Sequence, residues 1–393
     1  MTRVHKFLLI TTAVSSLVAC STSDLINVAS SRNPSDAASK IASARARSYA
    51  QNPLQLAQDI DAARTQYRQL LEKLTGKAGK QWGSKSVVTP TNNRYVKYTQ
   101  NYMSRAIVQF DRGLITVETL DPNQPDQSLK NAIVTTLLTP DDPRAVDLYS
   151  DKNIALSGQP YLQGLVVDHN QRNIDSPTQA ESFADRLLHT AKKTRYTDTE
   201  QGSKQVHYVE IPMVSDYENK QAQRYAASVE RQAGKFGVSK SLIFAVMKTE
   251  SSFNPFAVSS APAYGLMQLV PETGGRDAYA HVKGYEHTPS KEYLFDTDNN
   301  IELGTAYLSI LEQRYLAGIH DPLTREYCTI AAYNGGAGNV FNMFSKDRSK
   351  APEAINALPP SEVYRRLRDE HPRDETRRYL VKVLAARREF VNL

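Results

Sequence analysis

The sequence contains very few residues that can form covalent or metal cross-links. Its 393 residues include only two cysteines, Cys20 and Cys328. No group of histidines and cysteines has the spacing of a metal site, and two cysteines do not make a disulfide framework. Cys328 lies in an apolar, helix-like stretch, which predicts a buried structural thiol. We therefore expect no metal and no other cofactor.

The chain also lacks the features of nucleic-acid-binding and membrane-spanning proteins. It has no run of basic residues with interleaved aromatics, which argues against a nucleic acid partner. Its formal net charge of +6 is an ordinary value for a soluble protein. The apolar stretch at residues 7–19 is too short to span a bilayer. What the sequence does have is length and apolar content: 393 residues that are 40% hydrophobic predict two domains with sizeable cores.

The first twenty residues have the organisation of a lipoprotein leader. Arg3 and Lys6 provide positive charge before the apolar residues 7–19. Residues 17–20, Leu-Val-Ala-Cys, resemble a bacterial lipobox, in which the cysteine carries the lipid and becomes the new N-terminus. The alternative is an ordinary cleaved signal with a chance cysteine.

The lipobox interpretation predicts where the protein is held. Residues 1–19 would be the signal peptide, and residues 20–52 a lipidated N-terminus and tether. Acyl chains on Cys20, palmitate among them, would anchor the protein to a membrane. Two or three acyl chains give stable membrane anchoring, whereas a single chain does not. Because Ser21 rather than aspartate follows the cysteine, analogy with bacterial lipoprotein sorting predicts the periplasmic face of the cell outer membrane.

Hydrophobic periodicity divides the rest of the chain into two domains of overall α+β class. Residues 53–214 predict an α+β domain with an antiparallel sheet, and residues 215–393 predict a mainly α-helical domain. In the first domain, a helix over residues 53–74 should stop at Gly76. A turn at residues 111–113, Asp-Arg-Gly, predicts a hairpin.

Two further segments of the first domain are predicted less directly. The apolar run at residues 162–167 predicts a strand. The polar segment between residues 195 and 216 predicts the linker between the domains, although alternation at residues 206–211 predicts a strand close to it.

One carboxylate stands out in the helical domain. The helix that begins after Ser239 is apolar, and Glu250 continues its apolar stripe at i, i+3/i+4, i+7 spacing. Pro255 requires the helix to end close to Glu250. A carboxyl among apolar neighbours has a raised pKa and keeps its proton near neutral pH, as a general acid requires. By itself, a helix-end acid in a salt bridge would be the simpler interpretation.

Three more motifs follow Glu250-Ser251 in order. They are Gly-Leu-Met-Gln at residues 265–268, Ala-Tyr-Asn at residues 332–334, and Glu-Thr-Arg-Arg-Tyr at residues 375–379. Together, residues 240–385 resemble the lysozyme-like catalytic domain of lytic transglycosylases. Any one motif alone is weak, whereas four in order are specific.

The resemblance implies an enzyme that acts on peptidoglycan glycan strands. Glu250 would protonate the oxygen that leaves between N-acetylmuramic acid and N-acetylglucosamine, then accept the proton of the muramic C6 hydroxyl, which leaves a 1,6-anhydro end. Tyr333 and Tyr379 would complete the catalytic group. The residues implied to bind substrate are Ser251, Ser259, Gly265, Gln268, Asn334 and Glu375.

Two alternative functions remain open from the sequence. One is a non-catalytic peptidoglycan-binding lipoprotein that retains a lysozyme-like cleft, and the other is a hydrolytic muramidase on the same fold. Since all four motifs lie beyond residue 217, we also expect the helical domain to fold and cleave by itself.

Overall fold

The computed structural model describes residues 53–392. The predicted signal peptide, the lipidation site at Cys20 and the tether up to residue 52 lie outside the described residues. Among the helices of residues 53–392, none has the length and apolar character needed to cross a membrane.

The first domain is built on one five-stranded sheet in which every neighbouring pair of strands is antiparallel. Its order is β1-β2-β3-β5-β4. The strands are β1 Arg94–Thr99, β2 Ser104–Gln109, β3 Leu114–Thr119, β4 Lys193–Thr199 and β5 Gly202–Pro212. The predicted hairpin is present, because β2 and β3 pair from Gln109 and Leu114 outward, on either side of the turn at residues 111–113. The antiparallel sheet and the α+β class are confirmed.

Three helices accompany the sheet: α1 Pro53–Trp82, α2 Pro125–Leu137 and α3 Pro177–Thr190. The predicted end of α1 at Gly76 is wrong. Leu74, Ala78 and Trp82 are all fully buried, and the Trp82 indole donates to the Tyr102 carbonyl at 2.7 Å. A glycine inside a helix costs about 1 kcal/mol relative to alanine, and the packing of the last turns offsets it.

Two other predictions for this domain are wrong. Residues 162–167 form buried turns with isolated bridges rather than a strand, because an apolar run can enter a core without pairing. The predicted linker is instead the β4–β5 hairpin, in which Thr199 faces Gly202. β4 is an edge strand and mostly exposed, so it lacks the apolar alternation that marks a half-buried strand.

The second domain is almost entirely helical, as predicted. Its helices are α4 Tyr217–Arg224, α5 Ala226–Phe236, α6 Lys240–Ser251, α7 Arg276–Lys283, α8 Lys291–Phe295, α9 Thr297–Ile310, α10 Pro322–Gly335, α11 Ala337–Phe344, α12 Ala351–Asn356, α13 Pro360–Asp369 and α14 Asp374–Arg387. Helices α4 and α5 are separated by a break at Tyr225. Cys328 is fully buried on α10, as predicted for a structural thiol. One large core holds α6 against α14 and α5.

The two domains meet at the loop that follows α6. Phe256, in this loop, belongs to the core of the first domain, with ring centroids 5.0 Å from Tyr95 and 5.5 Å from Tyr161. At a separate point, Arg144 forms an ion pair with Asp296 at 3.3 Å. The end of α6 is therefore attached to both domains.

Candidate active site

Glu250 lies in the last turn of α6 because of local sequence signals. The Ser239 hydroxyl caps the helix start by accepting from the Leu242 backbone nitrogen at 3.2 Å. Residues 242–247 are all buried, which fixes the helix in the core. Ser252, in the left-handed conformation, ends it. Glu250 itself is partly exposed, at the boundary between core and solvent.

The turn after the helix is strained. Ser252 and Phe253 have φ of 51° and 60°, a conformation that costs non-glycine residues about 1–3 kcal/mol each and persists only where the surroundings enforce it. Phe253 is buried against Phe390 with ring centroids 5.9 Å apart. Asn254 is also buried, and its side-chain oxygen accepts from the Phe256 backbone nitrogen at 3.0 Å. These contacts hold the turn in place.

The pKa of Glu250 is raised to about 8, chiefly because its carboxyl is removed from bulk water. The Tyr379 hydroxyl opposes this shift, and the charge of Glu375 adds to it. Both residues lie on α14, one turn apart, since residues four positions apart share one face of a helix. The Tyr379 hydroxyl is buried and has no other partner among residues 53–392. At neutral pH the acid is therefore protonated, and the Tyr379 phenol that acts on it is neutral.

Tyr333 lies beside Glu250 but is tied to the next motif. Its hydroxyl donates to the Met267 carbonyl at 2.8 Å rather than to Glu250. Burial, and then the nearby charge of Glu250, raise the pKa of Tyr333 well above its usual value. Tyr333 thus remains neutral and links helix α10 to the turn at residues 265–268.

The glycine of that turn is needed for packing inside the protein. Gly265 has φ of 73°, and a Cβ there would lie 2.7 Å from the Leu294 carbonyl oxygen. The side chain of Asn300, fully buried on α9, also crowds this position and accepts from the Met267 backbone nitrogen at 2.8 Å. Sequence reasoning missed Asn300, because a lone asparagine 35 positions after Gly265 carries no local signal.

Gln268, in the same turn, has a side-chain atom that makes no hydrogen bond within the described residues. Its side-chain nitrogen donates to the carbonyls of Gly265 at 2.9 Å and Ala257 at 3.2 Å. Its side-chain oxygen is buried and has no partner among the residues that the structure describes. That oxygen is an acceptor which a sugar hydroxyl or amide could use.

The two serines differ in exposure. Ser251 is fully buried, and its hydroxyl donates to the carbonyls of Met247 at 3.0 Å and Leu266 at 2.8 Å. A hydroxyl bonded in this way fastens the helix to the turn, and the contact of Ser251 with substrate stays a prediction. Ser259 is partly exposed, and its hydroxyl accepts from the Ala263 nitrogen at 3.3 Å.

Asn334 and Glu375 lie together at the edge of the site. The Asn334 amide donates to Glu375 at 3.4 Å, while its oxygen accepts from the Thr376 hydroxyl at 2.7 Å. Glu375 is exposed, and Thr376 is buried. The third and fourth motifs are thus joined directly.

One other carboxylate acts on Glu250. Among the residues that the structure describes, Glu375 is the acid whose charge raises the pKa of Glu250. Three other acids of the helical domain are paired elsewhere: Asp296 with Arg144, Asp298 with Arg231, and Glu302 with Lys235 and Lys283. Within residues 53–392, no three histidine, cysteine or acidic side chains are grouped as a metal site would require.

Comparison with known proteins agrees with this geometry. Residues 227–356 match the family model of the transglycosylase SLT domain. Residues 52–224 match the model described as membrane-bound lytic murein transglycosylase C, N-terminal domain. Fold and site thus define a lytic transglycosylase, as the motifs implied.

The curated relatives identify the family. Proteins named membrane-bound lytic murein transglycosylase C from Yersinia pestis (strain Pestoides F) and Yersinia pseudotuberculosis (serotype O:1b, strain IP 31758) are each 45% identical over 310 residues, which cover 79% of this chain and 85% of theirs. The chain belongs to the family of membrane-bound lytic murein transglycosylase C.

Two solved structures are also similar to part of the chain. They are an inactive mutant of lytic transglycosylase Slt from Pseudomonas aeruginosa, 29% identical with a TM-score of 0.30, and the 70 kDa soluble lytic transglycosylase from Escherichia coli, 25% identical with a TM-score of 0.32. Each match covers 42% of this chain and 23% of the longer solved chain.

Proposed function

We propose that this enzyme cleaves the β-1,4 bond between N-acetylmuramic acid and N-acetylglucosamine in peptidoglycan without water, and that Glu250 alone provides the acid and the base. The observation that carries the proposal is a partly buried carboxyl whose pKa is raised to about 8, so that it holds a proton near neutral pH. Glycosidases that use two carboxylates place the second about 5–9.5 Å from the first. Glu375, which is exposed and bonded to Asn334, is proposed to contact substrate instead.

The proposed mechanism accounts for each proton that is transferred. Protonated Glu250 gives its proton to the glycosidic oxygen as the bond to the anomeric carbon breaks. The resulting carboxylate then removes the proton of the muramic C6 hydroxyl, whose oxygen bonds to the anomeric carbon. Glu250 is protonated again at the end, and no water is consumed. The free hydroxyl of Tyr379 can donate to the carboxylate while it carries charge.

The remaining polar groups suit a role in holding the sugar chain. The unpartnered oxygen of Gln268 and the exposed carboxylate of Glu375 are proposed to bind substrate, with Asn334 orienting Glu375. Ser259 is proposed to contact substrate, and Gly265 to shape the turn below it. Tyr333 is proposed to act by holding that turn against the acid.

Mass spectrometry of muropeptides released from purified sacculi tests the reaction. The expected products end in 1,6-anhydro-muramic acid, one water lighter than the hydrolysed ends. Reducing ends would identify a muramidase. A folded protein that binds sacculi and releases nothing would identify a binding lipoprotein, which the intact acid disfavours.

We also propose that acyl chains on Cys20 hold the enzyme at the periplasmic face of the outer membrane. The motif at residues 17–20 and the words "membrane-bound" in the family name support this proposal. Residues 20–52 would then tether the α+β accessory domain, residues 53–214, and the catalytic domain, residues 215–393.

Cys20→Ala should abolish lipidation, because it removes the thiol that accepts the diacylglyceryl group. We expect loss of palmitate labelling and release from the outer-membrane fraction. Cys328→Ala is the matched control, since that thiol is fully buried. Labelling of Cys20→Ala at the wild-type level would refute the anchor.

A further inference from the structure

The first domain contacts the catalytic helix at the acid itself. The side-chain nitrogen of Asn92, 158 residues before Glu250 in the chain, donates to the Glu250 backbone carbonyl at 2.7 Å. The last carbonyls of a helix have no partner within it. Asn92, just before strand β1, supplies a hydrogen-bond partner for the Glu250 carbonyl from another domain.

The contact is reciprocal. The buried side chain of Asn254 donates back to the Asn92 carbonyl at 2.9 Å. The neighbouring carbonyls of the helix end are satisfied locally, with Lys248 accepting from Ser252 and Ser251 accepting from Asn254. The carbonyl of Glu250, in contrast, is satisfied from the first domain.

Two further contacts hold the strained turn to the same domain. The Tyr161 hydroxyl donates to the Phe253 carbonyl at 3.2 Å, and the Phe256 ring is seated beside Tyr161 in the first domain's core. Residues 250–256 are therefore held by the first domain as well as by the helical domain. The prediction of a self-sufficient catalytic domain did not anticipate these contacts.

We infer that the first domain is a working part of the catalytic site, and that Asn92 is a positioning residue that fixes the last turn of α6 and with it the carboxyl of Glu250. This inference rests on the proposed function. Without the Asn92 bond, the helix end can fray, and water can reach the carboxyl. Fraying displaces the carboxyl, and water lowers its pKa so that less of it is protonated; proton transfer needs both the placement and the raised pKa.

The test uses the full-length chain with Asn92→Ala. A displacement of about 1 Å costs on the order of 100-fold in rate, so we expect kcat on sacculi to fall about 10- to 100-fold, with little change in KM. Asn92→Asp keeps the size of the side chain and the backbone acceptor, but its side chain cannot donate a hydrogen bond. Its kcat should therefore fall similarly. If the alanine variant does not fold, the aspartate variant tests the positioning role.

The pH dependence distinguishes positioning from general stability. Wild-type turnover needs protonated Glu250, so it should be lost as pH rises through about 8. The titratable groups that act on Glu250 are Tyr379 and Glu375 on α14, while Tyr333 faces it from α10. None of them is altered in Asn92→Ala. Entry of water should therefore lower the Glu250 pKa and move the alkaline limb to lower pH.

Arg144→Gln is the matched control, because it breaks an interdomain ion pair away from the acid. It should leave kcat and the alkaline limb unchanged. The positioning role is refuted if Asn92→Ala and Asn92→Asp keep wild-type kcat and pH profile, or if Arg144→Gln loses as much. A wild-type chain that releases no anhydro ends refutes the proposed function instead.

Discussion

Glu250→Gln is expected to abolish release of anhydro-muropeptides while binding of sacculi persists. Glutamine keeps the size and the hydrogen-bonding capacity but cannot deliver a proton. Loss of one general acid costs on the order of 10²–10⁴-fold. Since the same carboxyl is proposed to act as the base, the loss should reach the upper end of that range or exceed it. Turnover is measured by quantifying anhydro ends against time.

Substitution of the other acids should have milder effects. Asp298→Asn is the matched control, because this exposed carboxylate is paired with Arg231 and does not act on Glu250. Glu375→Gln should mainly weaken binding. If Asp296→Asn or Glu302→Gln removed turnover as completely as Glu250→Gln with the fold intact, a mechanism with two carboxylates would replace the one proposed here.

Phe256→Ala is expected to destabilise the protein by about 3–5 kcal/mol, the range for deleting a fully buried phenylalanine. Although the residue follows the catalytic helix in sequence, its ring packs in the core of the first domain. The substitution leaves a cavity beside Tyr95 and Tyr161 and releases the loop that holds the helix end. Urea unfolding, followed by circular dichroism and tryptophan fluorescence, measures the change.

The fluorescence of Trp82 makes this measurement specific for unfolding of the first domain. Trp82 is the only tryptophan of the chain and is buried in the first domain, so its fluorescence reports that domain. Leu70→Ala on the exposed face of α1 is the control and should change stability by no more than about 0.5 kcal/mol. If the Trp82 transition were the same in Phe256→Ala and wild type, the ring would not couple the domains.

Some elements of the fold follow from residues that are close in sequence. The turn at residues 111–113 predicts a hairpin that is present, and the apolar spacing after Ser239 predicts α6, with Glu250 in its last turn. The structures of residues 162–167 and of strand β4 do not follow from residues that are close in sequence. Their structure depends on which other segments cover them, and an apolar run or a polar edge strand does not reveal that.

The candidate site also combines features that the sequence predicted with features that it did not. Its four motifs were found from the sequence, and the spacing of Glu375 and Tyr379 placed them one turn apart on α14. The burial of Ser251 and the packing of Asn300 under Gly265 were not foreseen. Each depends on a contact with a residue far away in sequence.

By itself, the sequence determined the end of helix α6, the acid in its last turn and the residues that accompany it, because caps, periodicity and motif spacing act over a few residues. Only the tertiary structure decided the state of that acid. Its pKa near 8 arises from burial beneath distant elements, and its backbone is held by Asn92 from another domain. Desolvation and long-range hydrogen bonds exist only once the chain has folded, so the apolar stripe predicted the direction of the pKa shift but neither its extent nor the bond from Asn92.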